Sequence, residues 1–176
     1  LSAADYPDLP EVEDEYSVSI QQKTLRAMIE EVAFAVSTND SRPIHTGELF
    51  ERNGEGLLTV VAVDGYRLAL RRETTQLNVS ETACQFVIPA PALNEVSKIC
   101  GDTDETVEIV QGSRHIMFRL ESEKITLITR RLEGEFLNYG AKRLHYYRNK
   151  RRIRHTYGKN KRRNAVYCTG AFTARQ

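Results

Sequence analysis

An α+β fold made of two copies of a β-α-β-β-β unit is predicted by two observations. The apolar residues change period from 2 to 3.6 twice, in the same order along the chain. Placing Ile20 on Ile88 also superposes Leu25 on Leu93 and Met28 on Val96, a constant offset of 68 residues. A duplicated unit with a single helix per copy has to set both helices on one side, over the apolar faces of its sheets.

The first copy occupies residues 15–72. Tyr16, Val18 and Ile20 alternate with polar residues, as in a half-buried strand. Leu25, Met28, Ile29, Val32, Ala33 and Val36 then fall on one helical face, which predicts a helix over 22–37. Segments 47–52 (GELFER) and 57–64 (LLTVVAVD) flank Asn53-Gly54-Glu55-Gly56, a hairpin signal because Asn and Gly tolerate positive φ. Asp64-Gly65 makes a second tight turn into 66–72 (YRLALRR).

The second copy occupies residues 82–131. A strand is expected at 84–88, followed by a helix started by Pro89 and Pro91 and ended by Gly101, with Leu93, Val96, Ile99 and Cys100 on its buried face. Strands at 106–110, 114–120 and 124–131 follow, separated by Gln111-Gly112-Ser113 and Glu121-Ser122-Glu123.

Charge divides the chain differently. The formal net charge of +1 over 176 residues hides 24 acidic and 13 basic residues in 1–139, and 12 basic with no acidic residue in 140–176. Residues 1–14, acidic and with two prolines, are expected to be a linker or the trailing edge of a preceding unit. A start at Leu1 inside that segment suggests a fragment or a processed chain. No stretch approaches the ~20 apolar residues of a membrane span, and the first residues lack the basic and apolar regions of a signal peptide, so a soluble, intracellular protein is expected.

Catalytic and metal motifs do not assemble. The chain has no phosphate-binding G-x-x-x-x-G-K-[ST], no G-x-S-x-G elbow, and in Gly54-Glu55-Gly56 only part of a dinucleotide loop. Asp102 and Asp104 lack the glycine and terminal glutamate of a calcium loop. His45 and His115 have no Cys or His at ligand spacing, and Cys84, Cys100 and Cys168 match neither a disulfide framework nor a zinc pattern. The sequon Asn78-Val79-Ser80 matters only in a secreted protein. Neither a cofactor nor a metal is expected.

One succession of motifs remains. Arg42-Pro43, Thr46-Gly47-Glu48-Leu49-Phe50-Glu51, Val61-Ala62-Val63-Asp64-Gly65-Tyr66-Arg67-Leu68-Ala69, Phe86-Val87-Ile88-Pro89, and Arg131-Leu132-Glu133-Gly134-Glu135-Phe136 with Tyr139 occur in that order. Together they closely resemble the middle domain of the bacterial sliding clamp, the β subunit of DNA polymerase III. Tyr6-Pro7-Asp8-Leu9-Pro10 is similar to the end of that family's first domain.

The resemblance implies a DNA-clamp fold over 15–139. It also implies a cytoplasmic bacterial protein that catalyses nothing and serves as a processivity factor. In the family, a homodimeric head-to-tail ring of three-domain subunits encircles double-stranded DNA. DNA polymerase III and clamp-loader subunits insert a short peptide with apolar anchors into a cleft between the middle and last domains, and the D-G-x-R-L turn forms one wall of it. Carried over by position, the wall is Val63, Gly65, Tyr66, Arg67 and Leu68. His45 stands where the family usually has an apolar residue, and Leu137 where it usually has proline. The polar helix sides would face the DNA, with Lys23, Arg26 and Lys98 nearest to it.

Residues 140–176 have no counterpart in the family, and their abrupt change of composition is what a shifted reading frame or a truncated gene would produce. A disordered tail is expected there, and this fragment is expected not to close a complete ring. A genuine nucleic-acid-binding extension is the second reading, because Lys142, Arg143, Arg148, Lys150, Arg151, Arg152 and Arg154 are interleaved with Tyr146, Tyr147 and Tyr157. A folded third domain is the least expected, since 37 residues supply little core.

Overall fold

β1 (Tyr16–Gln21) leads directly into α1 (Gln22–Val32), and β2 (Gly47–Arg52), β3 (Leu57–Val63) and β4 (Arg67–Thr74) follow. The order then repeats as β5 (Cys84–Pro89), α2 (Ala90–Ile99), β6 (Thr106–Gln111), β7 (His115–Leu120) and β8 (Ile125–Arg130), with β9 (Ala165–Thr169) last. This computed structural model describes residues 12, 16–75 and 83–139, and the backbone of 165–169. The sequon at 78–80 lies outside the described residues.

The two units interlock. β1 joins the sheet of the second unit, in the order β1-β6-β7-β8, and β5 joins the sheet of the first, in the order β5-β2-β3-β4-β9. The registers are equivalent: Tyr16 pairs with Gln111 and Gln21 with Thr106, as Cys84 pairs with Arg52 and Pro89 with Gly47. All pairings are antiparallel. Each unit therefore completes the other's sheet, and the predicted α+β class holds for eight strands and two helices over residues 16–130.

Both helices pack against one shared core. Leu25, Met28, Ile29 and Val32 of α1 meet Leu93 and Val96 of α2 above Phe50, Val60, Ile88, Ile109, Ile116 and Phe118 of the sheets. Burying each large apolar side chain contributes about 1.5–3 kcal/mol, and the rings of Phe50 and Phe86 stack across the β2–β5 pair at 5.8 Å. Glu48 lies two residues before Phe50 and so on the same face; with 1% of its surface exposed, burial pushes its carboxyl well above the usual range.

Two local expectations change. α1 ends at Val32, and Ala33–Ala35 continue as a 3-10 turn before Val36 becomes extended. A period of three carries Ala35 to the core below Val32, both fully buried, so the apolar pattern runs on after the α-helix has stopped. In the tail, where disorder was expected, Ala165–Thr169 pairs with β4 from Arg67↔Thr169 to Arg71↔Ala165. An open strand edge selects a partner through its backbone groups, which a search for side-chain periodicity does not detect.

The repeat is also asymmetric. β1 and β5 start 68 residues apart, but β2 and β6 start 59 apart. The extra length lies in residues 33–46, which connect α1 to β2 and include a second 3-10 turn, Pro43–Thr46. That insertion builds one side of the site.

Candidate functional site

The outer face of the β5-β2-β3-β4-β9 sheet, away from the helices, carries a second apolar cluster. Ile44, Leu49, Val61, Val63, Leu68, Leu70 and Val87 form it, and Leu132, Phe136, Leu137 and Tyr139 pack over it. The covering segment is held at both ends. Leu132 N–H donates to the Val87 carbonyl at 2.9 Å, and the Tyr139 hydroxyl donates to the Glu51 carboxylate. Burial, reinforced by the bond to Glu51 and its charge, pushes the Tyr139 phenol far above its usual range, so it stays a donor. Between them Gly134 adopts φ +126°, a conformation that favours glycine, close to Ile44.

Asp64 shapes the turn from β3 to β4. Its Oδ1 accepts the backbone N–H of Tyr66 at 3.0 Å and of Arg67 at 2.9 Å, its Oδ2 accepts Arg67 Nε at 2.6 Å, and Gly65 takes φ +88°. Burial opposes ionisation of Asp64, but the two backbone N–H groups and the guanidinium outweigh it and hold the carboxyl below its ordinary value. Its share of stability is therefore present above about pH 4 and is lost as pH falls through the lowered value.

The residues proposed for the wall do not all face one way. Val63 and Leu68 are cross-strand partners inside the outer cluster, and Leu137 packs onto it. His45 meets the cluster's cover, its ring edge-on to Phe136 with centroids 5.3 Å apart. Gly65 and Tyr66 form the turn tip, where Tyr66 is 76% exposed. Arg67 turns away from the cluster: its guanidinium lies 5.8 Å over the ring of Phe34, which the 3-10 turn after α1 leaves 46% exposed. Ile44, Phe136, Tyr139 and Asp64 belong to this region but were not among the predicted site residues. The signal for Phe136 and Tyr139 was the Gly134-x-Phe136 and Tyr139 spacing, which has no period of its own, and that for Asp64 was the Asp64-Gly65 turn; Ile44 had none.

The helix layer presents the three cations expected to face DNA, each with an acidic partner. Lys23 pairs with Asp104, Arg26 Nε with Glu30 Oε1 at 2.9 Å, and Lys98 Nζ with Glu95 Oε1 at 2.7 Å. Ser97 Oγ donates to the same Glu30 oxygen at 3.0 Å, tying α2 to α1. All are exposed or nearly so, which makes this a charge-balanced face rather than a cationic one. Among the described residues no cluster of three or more His, Cys, Asp or Glu is arranged to hold a metal ion, and no helix is long and apolar enough to cross a membrane.

Residues 19–138 match the family model described as "DNA polymerase III beta subunit, central domain". The chain belongs to that family. The β sliding clamp of Halalkalibacterium halodurans is 36% identical over 137 residues, 77% of this chain and 35% of the relative, and that of Streptococcus pneumoniae is 38% identical over 131 residues, 74% and 34%. This chain thus spans about a third of the length of the curated sliding clamps it matches. Among solved structures, the Pseudomonas aeruginosa sliding clamp bound to griselimycin superposes with a TM-score of 0.73 at 32% identity, over 80% of this chain and 37% of that one. The Bacillus subtilis sliding clamp superposes with the same TM-score over 97% of this chain and 53% of its own, at 24% identity, which speaks for the fold alone.

Proposed function

We propose that this chain acts as the central domain of a DNA polymerase III processivity clamp, a non-catalytic bacterial cytoplasmic module that helps to hold the polymerase on duplex DNA. The observation that carries this reading is the apolar cluster of Val63, Leu68 and Leu137 beside the exposed Tyr66, in a chain of the clamp family. On this reading a short peptide from the polymerase or a clamp-loader subunit lays its apolar anchors against that cluster, and Tyr66 closes over them. The helix layer is the DNA side. Because Lys23, Arg26 and Lys98 each carry an acidic partner, their contact with phosphates is diffuse and weak, which suits sliding. A ring of two three-domain subunits, as in the family, is the assembly in which such a domain works.

Fluorescence anisotropy with a labelled pentapeptide carrying Leu and Phe anchors tests the docking. Saturable binding is expected, weakened about fivefold or more by Tyr66→Ala with no change in Tm, since Tyr66 is 76% exposed. Absence of saturable binding by the parent chain would reject this reading.

A second reading rests on the 12 basic and no acidic residues of 140–176, which suit direct binding of nucleic acid. Replacing Arg148, Lys150, Arg151, Arg152 and Arg154 by Gln leaves the β9 residues in place. If the tail binds, these changes remove most of the salt-dependent affinity for single-stranded DNA and leave peptide binding intact. Unaltered DNA affinity excludes the tail as the binding element.

A further inference from the structure

His45 places a titratable ring at the edge of the outer apolar cluster, and its surroundings give that placement a consequence. The Pro43–Thr46 turn fixes its backbone: His45 N–H donates to the Arg42 carbonyl at 3.0 Å, and Ser37 N–H donates to the His45 carbonyl at 2.9 Å. Ile44, one residue earlier, is buried in the outer cluster, and the half-buried His45 ring stands edge-on to Phe136. The imidazole is thus part of the rim where an apolar anchor would lie.

The charges around it offer no compensation for an imidazolium. On its own element Arg42 repels a proton on the ring. On the covering segment Glu133 and Glu135 are exposed, and Tyr139 is bonded to Glu51. On the connection from α1 Asp40 is exposed, and at the β3–β4 turn Asp64 is engaged by Arg67 and by two backbone N–H groups. Burial first, and Arg42 second, hold the His45 pKa below its ordinary value of about 6.5.

We propose that His45 is the specificity-determining residue at the rim of this apolar cluster: as a neutral ring against Phe136 it accepts an aliphatic or aromatic anchor, and as an imidazolium it rejects that anchor and accepts a carboxylate-bearing one. The inference rests on the docking reading above. The sign follows from linkage. An apolar anchor covers the ring and favours its neutral form, so affinity is full above the pKa of His45 in the unliganded protein and falls as pH drops through it, by up to about tenfold per pH unit. A carboxylate on the peptide favours the charged form and reverses the slope.

The test measures anisotropy of two labelled pentapeptides, one with Leu and Phe anchors and one with Glu in place of Phe, between pH 7.5 and pH 5.0. For the parent chain, affinity for the first is expected to fall about threefold or more over that range, while affinity for the second rises relative to it. His45→Leu is expected to bind the first peptide at least as tightly with no such fall, and His45→Gln to be equally flat but weaker. Titration of the His45 ring by NMR is expected to move to lower pH when the first peptide is bound. The same pH dependence in His45→Leu as in the parent overturns the proposal and leaves the docking reading standing. Binding of neither peptide by either protein at any pH overturns both.

Discussion

Arg71→Ala is expected to lower the unfolding free energy by about 3–5 kcal/mol, the scale of breaking a buried ion pair by removing one partner. Arg71 lies on β4 in the row Phe50–Val60–Arg71, which faces the helices. Its side chain is 7% exposed, and Nη1 donates to Glu31 Oε2 of α1 at 2.7 Å while Nη2 meets Glu73. Burial disfavours the guanidinium's charge, but Glu73 and Glu31 together reverse that and raise its pKa, so the cation is fully formed. Deleting it removes the cation that two carboxylates of low exposure share, one on the helix and one on the sheet.

The cost falls on the docking of α1, because Arg71–Glu31 is a charged link from that helix to β4. Urea unfolding with the slope m unchanged is the measurement. Replacing Arg71, Glu31 and Glu73 together by Met, Leu and Leu is expected to recover most of the loss, as apolar replacements of whole buried ion networks do. A loss below about 1 kcal/mol in Arg71→Ala would place the pair with ordinary surface salt bridges instead.

Gly47→Ala is expected to cost about 3 kcal/mol through overpacking against backbone. The conformation at Gly47 is an ordinary extended one, with φ −131°, so the glycine is required for space alone. A Cβ there would sit 2.2 Å from the Ile88 carbonyl oxygen, 2.8 Å from its carbon and 2.9 Å from Leu132 Cδ1. Main-chain atoms cannot swing aside as a side-chain tip can, so the β2–β5 ladder from Gly47↔Pro89 to Arg52↔Cys84 has to spread.

Because Leu132 also bonds Val87 through its backbone, spreading that ladder lifts the segment that carries Phe136 and Leu137. Loss of stability and loss of peptide binding should therefore appear together. Gly101→Ala is the control: its added Cβ would lie 3.4 Å from a Thr103 methyl, and its cost is expected to stay within about 0.5–1 kcal/mol. Equal effects of the two substitutions would remove the steric argument.

Much of this molecule was legible without coordinates. The period changes at Ile20, Leu25 and Leu93 placed the elements, and the offset of 68 residues predicted that β1 and β5 would be equivalent. The candidate site was legible in part. Val63, Leu68 and Leu137 were placed together by motif alone, and they do meet. Arg67 was grouped with them although its guanidinium pairs with Asp64 and Phe34. A side chain at a turn takes its direction from its nearest partners, and no pattern encodes that direction. Ile44, Phe136 and Tyr139 lie in connections without periodicity; Phe136 and Tyr139 stood in the motif succession, but their place over the sheet, and that of Ile44 beneath them, appeared only once the chain had folded.

The sequence by itself determined the class, the duplication, the helix and strand faces and the family, because each of these rests on residues a few positions apart or on whole motifs. Tertiary structure alone decided that each unit lends its first strand to the other's sheet, that residues 33–46 bring His45 to Phe136, and that Ala165–Thr169 lies on the β4 edge. The physical reason is the range of the forces. Burial periodicity is imprinted locally along the chain, whereas strand partnership, close packing at Gly47 and the shared cation at Arg71 are settled between segments tens of residues apart.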